Sequence, residues 1–407
     1  MTRKHVTVHL HYAPTPLRLS QRFPFLESLT LKGYPYEIGL LQKSGVNIIP
    51  WIQEISASFK CLKSLHIRNV AIHDSDLKLL ARTRGKDLKV LKIVGCEGIS
   101  ESGLMHISKG CNELRTLCLD RIDQLDEEEG CVKWSQELAL RNTGIETFSF
   151  RYFCDRLDVK DVALLVKNCS KSLVSLEVNT SYIDDLADAF SHAVKLEHFS
   201  GALYRKDMEY GGFKFPSTIR SLGIYDFPET SLLFVYPLLN RLRELEFTYP
   251  GNVKADCQCF LIQKCPNLEV LDTEDVCGDK GLQVISQFCL KLRKLRFRNC
   301  SGTHVGLIAL ALGCRKLEYL HIGLMDISNE ALECIGTNLK HLRVLYLHVR
   351  KDKYDIEKLG IRFQGDMSPE ISGTEKLEWD SFPGDIPGRH RRAHIVSVKQ
   401  LSATVEG

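Results

Sequence analysis

The chain has 407 residues, of which 44% are hydrophobic and 26% are charged, a composition typical of a globular protein with a sizeable core. The formal net charge of +3 argues against a general nucleic-acid binder, which would carry a marked basic excess. No apolar run reaches the ~18 residues that a membrane helix needs, and no signal peptide opens the sequence. We therefore expect the 15 cysteines to be reduced thiols of a nuclear or cytoplasmic protein.

The first 25 residues predict a capping segment. HVTVHLHY, from His5 to Tyr12, alternates as a strand does, and a proline-containing stretch follows it. A long insertion, Tyr34 to Pro50, then separates the first strand from the next repeat, and long loops in compact domains are often functional.

A repeated phrase, apolar-x-x-apolar-x-apolar, follows the cap. The intervals are mostly 23 to 31 residues, after a first interval of 36. A period in this range predicts an α/β leucine-rich repeat solenoid over residues 26–354, a horseshoe with short parallel strands on the concave face and helices on the convex face. The phrase begins at Leu26, Leu62, Leu88, Leu114, Ile145, Leu173, Leu196, Ile219, Leu242, Leu268, Leu292, Leu317 and Leu342.

Each phrase predicts a short strand, and the run after it predicts a helix. GLMHISKGC, from Gly103 to Cys111, is one such run, with apolar residues at helical spacing. Six cysteines recur at the ends of strands or helices, where a small apolar side chain fits tight corners between repeats. We interpret these six as core residues: Cys96, Cys111, Cys169, Cys265, Cys289 and Cys314.

The residues between the buried leucines should form an outward surface, to which each repeat contributes equivalent residues. The first set of outward positions lies between the second and third apolar residues of each phrase. A second set of positions, two residues further on, includes Lys32, Arg68, Asp120, Arg151, Glu274 and Arg298. The basic members of both sets could converge on one anion, but acidic residues share these positions, so ordinary surface charge is an equal alternative. The first set is Thr30, His66, Lys92, Cys118, Ser149, Glu177, Ser200, Gly223, Glu246, Asp272, Arg296, His321 and Tyr346.

No motif in the sequence predicts an enzyme. The chain lacks a phosphate-binding loop, a dinucleotide fingerprint and a nucleophile elbow. Cys257 and Cys259 have no partner pair at zinc-finger spacing, and the alternating histidines His5, His9 and His11 are better explained as one face of a surface strand. We expect a non-catalytic protein without a metal site.

The repeat phrase ends near residue 354. The last stretch contains three prolines and the basic cluster RHRR, at Arg389 to Arg392, and it lacks the leucine phrase. This composition predicts a disordered tail over residues 355–407.

Several phrases resemble the coronatine-insensitive jasmonate receptor family of plants. They are TRKHVTV, YAPTPLRLSQRFP, LESLTLKG, PWIQEIS, LIQKCPNLEVL, GDKGL and DISNEALECIGTNLKHL, spread over Thr2 to Leu347. The resemblance is weaker to the related auxin-receptor F-box family. It implies a substrate-recognition subunit of an SCF-type ubiquitin ligase, whose repeats bind jasmonoyl-isoleucine, an inositol phosphate cofactor and a JAZ-type repressor.

The chain departs from that family where the ligands would bind. The TRKHV phrase stands at the start of the sequence, so we expect the F-box, and with it binding of the Skp-type adaptor, to be missing. Family arginines correspond to Tyr36, Asn69 and Tyr346, and a family tyrosine to Gly323. The resemblance and the outward positions together give as candidate ligand-binding residues Arg296, Arg68, Lys32, Arg298, His321, Tyr346 and Tyr36.

These departures predict much weaker hormone binding than in intact family members. They also leave open a stand-alone protein-interaction scaffold with no hormone or ligase role.

Overall fold

A computed structural model gives the fold for residues 3–12, 15–33, 47–120, 134–151, 157–203, 213–225, 232–248, 255–273, 278–297 and 301–349. These residues form two compact units, one up to residue 203 together with 213–218, and one from residue 219 onward. The predicted tail, most of the predicted insertion, and the candidate residues Tyr36 and Arg298 lie outside the described residues. Pro50, the predicted end of the insertion, is already inside a helix.

The first unit alternates strands and helices along the chain. Its strands are β1 (His5–His9), β2 (Ser28–Lys32), β3 (Ser64–Arg68), β4 (Val90–Val94), β5 (Thr116–Asp120), β6 (Thr147–Arg151), β7 (Ser175–Tyr182) and β8 (His198–Leu203). Its helices are α1 (Pro16–Arg22), α2 (Ile49–Ala57), α3 (Asp74–Arg84), α4 (Glu101–Gly110), α5 (Trp134–Arg141), α6 (Val159–Asn168) and α7 (Ala187–His192). Each strand pairs in parallel with the next one along the chain.

The second unit repeats this arrangement. Its strands are β9 (Ser221–Tyr225), β10 (Glu244–Thr248), β11 (Val270–Thr273), β12 (Lys294–Phe297), β13 (Tyr319–Leu324) and β14 (Val344–Val349). Its helices are α8 (Leu232–Leu239), α9 (Ala255–Gln263), α10 (Gly278–Phe288), α11 (His304–Gly313) and α12 (Asn329–Asn338). These strands also pair in parallel in chain order.

The leucine phrase builds the core of both units. Every strand from β2 to β14 begins two residues after the first apolar residue of a phrase, as the sequence predicts. In the phrase that starts at Leu292, that residue, Leu295 and Phe297 are fully buried. Burial of each such side chain stabilises the fold by about 1.5–3 kcal/mol, so the repeat is a repeated unit of core.

Cysteines close the corners between repeats. The Cys289 thiol donates to the carbonyl oxygens of Ile262 (3.9 Å) and Cys265 (4.0 Å), and the Cys314 thiol to those of Ile285 and Cys289, both at 3.7 Å. Burial raises the pKa of both thiols to about 12. The prediction that the recurrent cysteines are core residues is confirmed, since all six are fully buried.

An aspartate on one helix fixes the start of the next helix. Asp279 in α10 accepts hydrogen bonds from the Thr303 amide (2.7 Å), the Thr303 hydroxyl (2.8 Å) and the Gly306 amide (3.0 Å). Thr303 in turn caps α11 by accepting from the Val305 amide. Gly306 is required there because a β-carbon would lie 2.5 Å from the Asp279 carboxylate.

Candidate functional site

The outward face of the strands is the candidate functional surface. Because side chains alternate along a strand, the first, third and fifth residues point away from the helices, while the second and fourth enter the core. The register aligns equivalent outward residues of neighbouring strands, for example Thr30 beside His66 and His66 beside Lys92. Each outward position therefore continues as a row from strand to strand within a unit.

The first unit carries a basic face, which we define as Lys32, His66, Arg68 and Lys92. Lys32 and Arg68 are register partners on β2 and β3, and His66 and Lys92 are partners on β3 and β4. All four side chains are half-buried. The outward positions of β1 to β4 include no Asp or Glu. Neighbouring strands lie about 4.8 Å apart, so these cations are close enough to share one anion.

Asn69 fixes the end of β3 beside the basic face. Its φ of 53° lies in the left-handed region, which Asn adopts more easily than most residues. Its amide donates to the Val94 carbonyl at 2.9 Å, and the Gly33 amide donates to the Arg68 carbonyl at 2.8 Å. Asn69, which the family resemblance alone matches to an arginine, therefore has a structural role in this chain.

A second cluster, the polar network of Ser149, Arg151, Glu177 and His198, lies on β6 to β8. One Glu177 carboxylate oxygen accepts from Arg151 Nε (2.8 Å) and Ser149 Oγ (2.5 Å), and the other lies 2.9 Å from His198 Nε2. Burial would raise the pKa of Glu177, but the Arg151 charge and the hydrogen bonds of His198 and Ser149 outweigh it. These contacts hold the pKa well below its ordinary range. Glu177 is therefore ionised at neutral pH and is fixed in place by Arg151, Ser149 and His198.

Cys118 lies on the neighbouring strand β5, in register with Ser149. Burial, followed by the charges of Glu177 and Asp120, raises the pKa of its thiol to about 12. This cysteine is therefore a protonated thiol at neutral pH and a poor nucleophile.

The candidate residues of the second unit lie on three adjacent strands. Arg296, His321 and Tyr346 are successive register partners on β12, β13 and β14. An Arg296 guanidinium nitrogen lies 3.8 Å from a carboxylate oxygen of the fully buried Asp272 on β11. The Tyr346 ring centre is 5.4 Å from that of His321 and 6.1 Å from that of Tyr319.

The structure thus brings the candidate residues together in two separate groups, Lys32 with Arg68, and Arg296 with His321 and Tyr346. Arg151 is ion-paired with Glu177 and Arg296 lies beside the Asp272 carboxylate, so two of the basic outward residues already have an acidic neighbour within the strand surface. The sequence reasoning also missed the outward row at the first position of each strand, which includes His198, Glu244, Lys294 and Tyr319. The alternation of the leucine phrase already places this row outward.

The described residues contain neither a metal-binding cluster nor a helix that could span a membrane. Within these ranges, no three His, Cys, Asp or Glu side chains are grouped so that they could hold a metal ion. No helix in the same part of the chain is long and apolar enough to cross a membrane.

Comparison with curated proteins places the chain among known relatives. It is 38% identical to coronatine-insensitive protein 1 of Arabidopsis thaliana over 361 residues, which is 84% of this chain and 60% of that protein. It is also 38% identical to coronatine-insensitive protein homolog 1b of Oryza sativa over 359 residues, again 84% of this chain and 59% of the relative. The chain is a homologue of the coronatine-insensitive proteins. The resemblance read from its sequence phrases is confirmed.

More distant matches agree with this relationship. GRR1-like protein 1 of Arabidopsis thaliana is 28% identical over 431 aligned positions, covering 100% of this chain and 72% of the relative. No family model matches the sequence. This homologue of the coronatine-insensitive proteins spans about 60% of the length of the curated relatives reported above.

The similarity to solved structures is at low sequence identity. A chain of the yeast Rad7 and Elc1 complex matches with a TM-score of 0.43 and 16% identity, covering 81% of this chain and 71% of that one. A leucine-rich repeat protein of Leptospira interrogans matches with a TM-score of 0.35 and 17% identity, covering 79% and 84%.

Proposed function

We propose that the chain is a leucine-rich repeat substrate-recognition protein of the nucleus or cytoplasm, which binds a protein partner on its strand surface. By family resemblance the partner is a JAZ-type repressor, and the pathway is ubiquitin-dependent degradation through an SCF-type ligase. Homology to the coronatine-insensitive proteins over 84% of the chain supports this role.

The basic face is the observation that carries the proposal. Lys32, Arg68 and Lys92 lie on three consecutive strands, beside His66, and all four side chains are half-buried. Converging Arg and Lys side chains suit a phosphate-rich anion, because each charge-assisted hydrogen bond to such a group is strong. The face fits an inositol phosphate, the cofactor that the family resemblance implies.

Jasmonoyl-isoleucine should bind this chain much more weakly than it binds intact family members. By the family resemblance, Asn69, Tyr346 and Tyr36 match positions where the family has arginine, and Gly323 matches a tyrosine. Each lost hydrogen bond between an arginine and an anion removes on the order of 1.5–3 kcal/mol. Three such losses weaken binding by several powers of ten, at ~1.4 kcal/mol per tenfold.

Calorimetry with the purified full chain tests both statements. Inositol hexakisphosphate should bind with an affinity that falls with added salt, and Arg68→Gln should weaken it by at least about tenfold. Lys109→Gln, which removes a charge from the exposed side of α4, is the matched control and should change nothing. Equal binding by wild type and Arg68→Gln would refute the basic face. Micromolar or tighter binding of jasmonoyl-isoleucine would refute the weakened hormone site.

A stand-alone interaction scaffold is the second candidate, and the polar network favours it. Glu177, Arg151, Ser149 and His198 bond to one another, so this part of the strand surface is ordered without any small ligand. The two roles are separated by mixing the purified chain with a Skp-type adaptor and following the complex by size-exclusion chromatography. A stoichiometric complex favours the ligase role, and its absence together with retained partner binding favours the scaffold.

A further inference from the structure

The outward rows of the second unit carry side chains in a fixed chemical order. The first-position row runs from Glu244 on β10 to Lys294 on β12 and Tyr319 on β13. The third-position row runs from Glu246 on β10 through Arg296 on β12 to Tyr346 on β14. Both rows from β10 onward therefore read acid, base and aromatic, apart from Val270 and Asp272 on β11, His321 on β13 and Val344 on β14. We call the acids, bases and tyrosines of these rows the ordered strip, which is Glu244, Glu246, Lys294, Arg296, Tyr319 and Tyr346.

The side chains of the ordered strip are accessible to a partner. Glu244 is exposed, and the other five are half-buried. The Ser221 hydroxyl donates to the Glu244 carboxylate at 2.9 Å, which helps to hold that acid at the surface. The Arg296 guanidinium, whose side chain is 18% exposed, lies 3.8 Å from the carboxylate of the fully buried Asp272, which balances part of its charge. Lys294 is therefore the base of the strip that a partner acid meets first.

The aromatic end of the strip forms a ledge. The rings of Tyr319 and Tyr346 have their centres 6.1 Å apart, and the His321 ring lies 5.4 Å from Tyr346. Such rings offer flat apolar area with a polar edge, which suits an aromatic or other planar side chain of a partner. The strip thus combines charge recognition with an apolar contact, as protein interfaces commonly do.

Strand spacing sets the separation of the three groups. At about 4.8 Å per strand, the acids of β10 lie about 10 Å from the bases of β12, and the ledge on β13 and β14 lies about 5–10 Å further. An extended peptide advances about 3.3 Å per residue. A segment that crosses the strands would therefore meet the acids and the bases about three residues apart, and the ledge two or three residues later.

We propose that the ordered strip binds an extended segment of a protein partner that presents a basic, an acidic and an aromatic side chain in that order. The basic side chain of the partner lies opposite Glu244 and Glu246, its acidic side chain opposite Lys294, and its ring on the tyrosine ledge. This inference rests on the proposed function as a partner-binding repeat protein, and it specifies the partner.

Fluorescence anisotropy with the full chain and labelled peptides tests the order. The matching peptide has the sequence Arg-Ser-Ser-Glu-Ser-Phe, and its reversed sequence allows for the opposite chain direction. The permuted peptides exchange the Arg and the Glu in both directions, so all four have the same composition and net charge. One of the matching pair should bind at least tenfold more tightly than both permuted peptides. Equal affinities for all four, or no binding by any, would overturn the proposal.

Exchanging one acid and one base of the strip supplies the decisive variant. Glu246→Lys combined with Lys294→Glu leaves one acid and one base on each of β10 and β12, because Glu244 and Arg296 are unchanged. The preference should therefore be lost, so that the matching and permuted peptides bind with similar affinity. The control reverses the exposed ion pair between Asp256 and Lys280 on the helix side, with Asp256→Lys and Lys280→Asp, and should keep the wild-type preference. Circular dichroism checks that each variant is folded. An unchanged preference in the folded strip variant contradicts the proposal.

The test of peptide binding to the ordered strip can fail independently of the test of the proposed function. Anion binding at the basic face is measured in the first unit, through Arg68, and does not involve the ordered strip. Loss of peptide selectivity with retained inositol hexakisphosphate binding would remove this inference alone. Self-association of the chain that masks the strip would also overturn it, and sedimentation velocity at the working concentration detects that outcome.

Discussion

Removing the Glu177 charge should destabilise the first unit. Glu177→Gln keeps the shape of the side chain but leaves the Arg151 guanidinium, whose side chain is 9% exposed, without its anionic partner. Breaking a buried ion pair from one side costs about 3–5 kcal/mol. Glu177 is itself 18% exposed, and glutamine still accepts a hydrogen bond, so we expect about 2–4 kcal/mol at pH 7.

The cost should depend on pH in a known direction. The pKa of Glu177 is lowered in the folded chain, so its charge stabilises the fold above the ordinary glutamate pKa of about 4.3. That contribution is lost as the pH falls from this value toward the folded pKa. The difference between wild type and Glu177→Gln should therefore be full at pH 7 and should shrink below about pH 4.

Urea unfolding followed by circular dichroism measures this difference. With m values of about 2–3 kcal/mol per molar for a unit of this size, the transition of the first unit should move down by about 1 M. Hydrogen exchange of the β6 to β8 amides confirms which unit is affected. Glu113→Gln, at an exposed ion pair with Lys89, is the control and should leave the transition in place. A Glu177→Gln transition as stable as wild type, or a difference that grows at low pH, would refute the reasoning.

Three further outcomes follow from the core and the helix caps. Leu295→Ala should cost about 2–5 kcal/mol in urea unfolding of the second unit, since the side chain is fully buried; a cost below 1 kcal/mol would contradict its core position. Asp279→Ala should cost about 2–3 kcal/mol, because three hydrogen bonds to Thr303 and Gly306 are lost, whereas Asp256→Ala in an exposed pair is a near-neutral control. Cys289 and Cys314 should resist iodoacetamide at pH 8 until urea unfolds the unit, since their pKa values are about 12; rapid labelling of the native chain, followed by mass spectrometry, would contradict their burial.

The sequence predicts the fold because its signal is local and repeated. The phrase beginning at Leu292 shows why: a strand buried on one side must alternate, and Leu295 and Phe297 occupy the alternating core positions. The helix at Glu101–Gly110 follows from apolar spacing in the same way. The start of α2 at Ile49 was not predicted, because the proline at its second position resembles loop sequence although proline is tolerated in a first helical turn.

The pairing of surface charges could not be predicted from the sequence in the same way. Periodicity places Arg151 and Glu177 on outward rows, but it does not say which acid a given arginine contacts. That choice depends on side-chain reach between neighbouring strands and on third partners such as Ser149 and His198. The adjacency of Lys32 and Arg68, in contrast, follows directly from strand order and was predicted.

In this solenoid, the buried residues that stabilise the fold are different from the outward residues that a partner could contact. Buried leucines hold each repeat, so an outward side chain can change without loss of the fold unless its neighbours bury it. Glu177 is such an exception, and its substitution should be measured mainly as lost stability. Arg68 and Lys294 are half-buried residues of the two surfaces that we propose bind ligands, and their substitution should be measured mainly as lost affinity. A variant series across both classes therefore distinguishes the polar network from the basic face and the ordered strip, for which we propose ligand recognition.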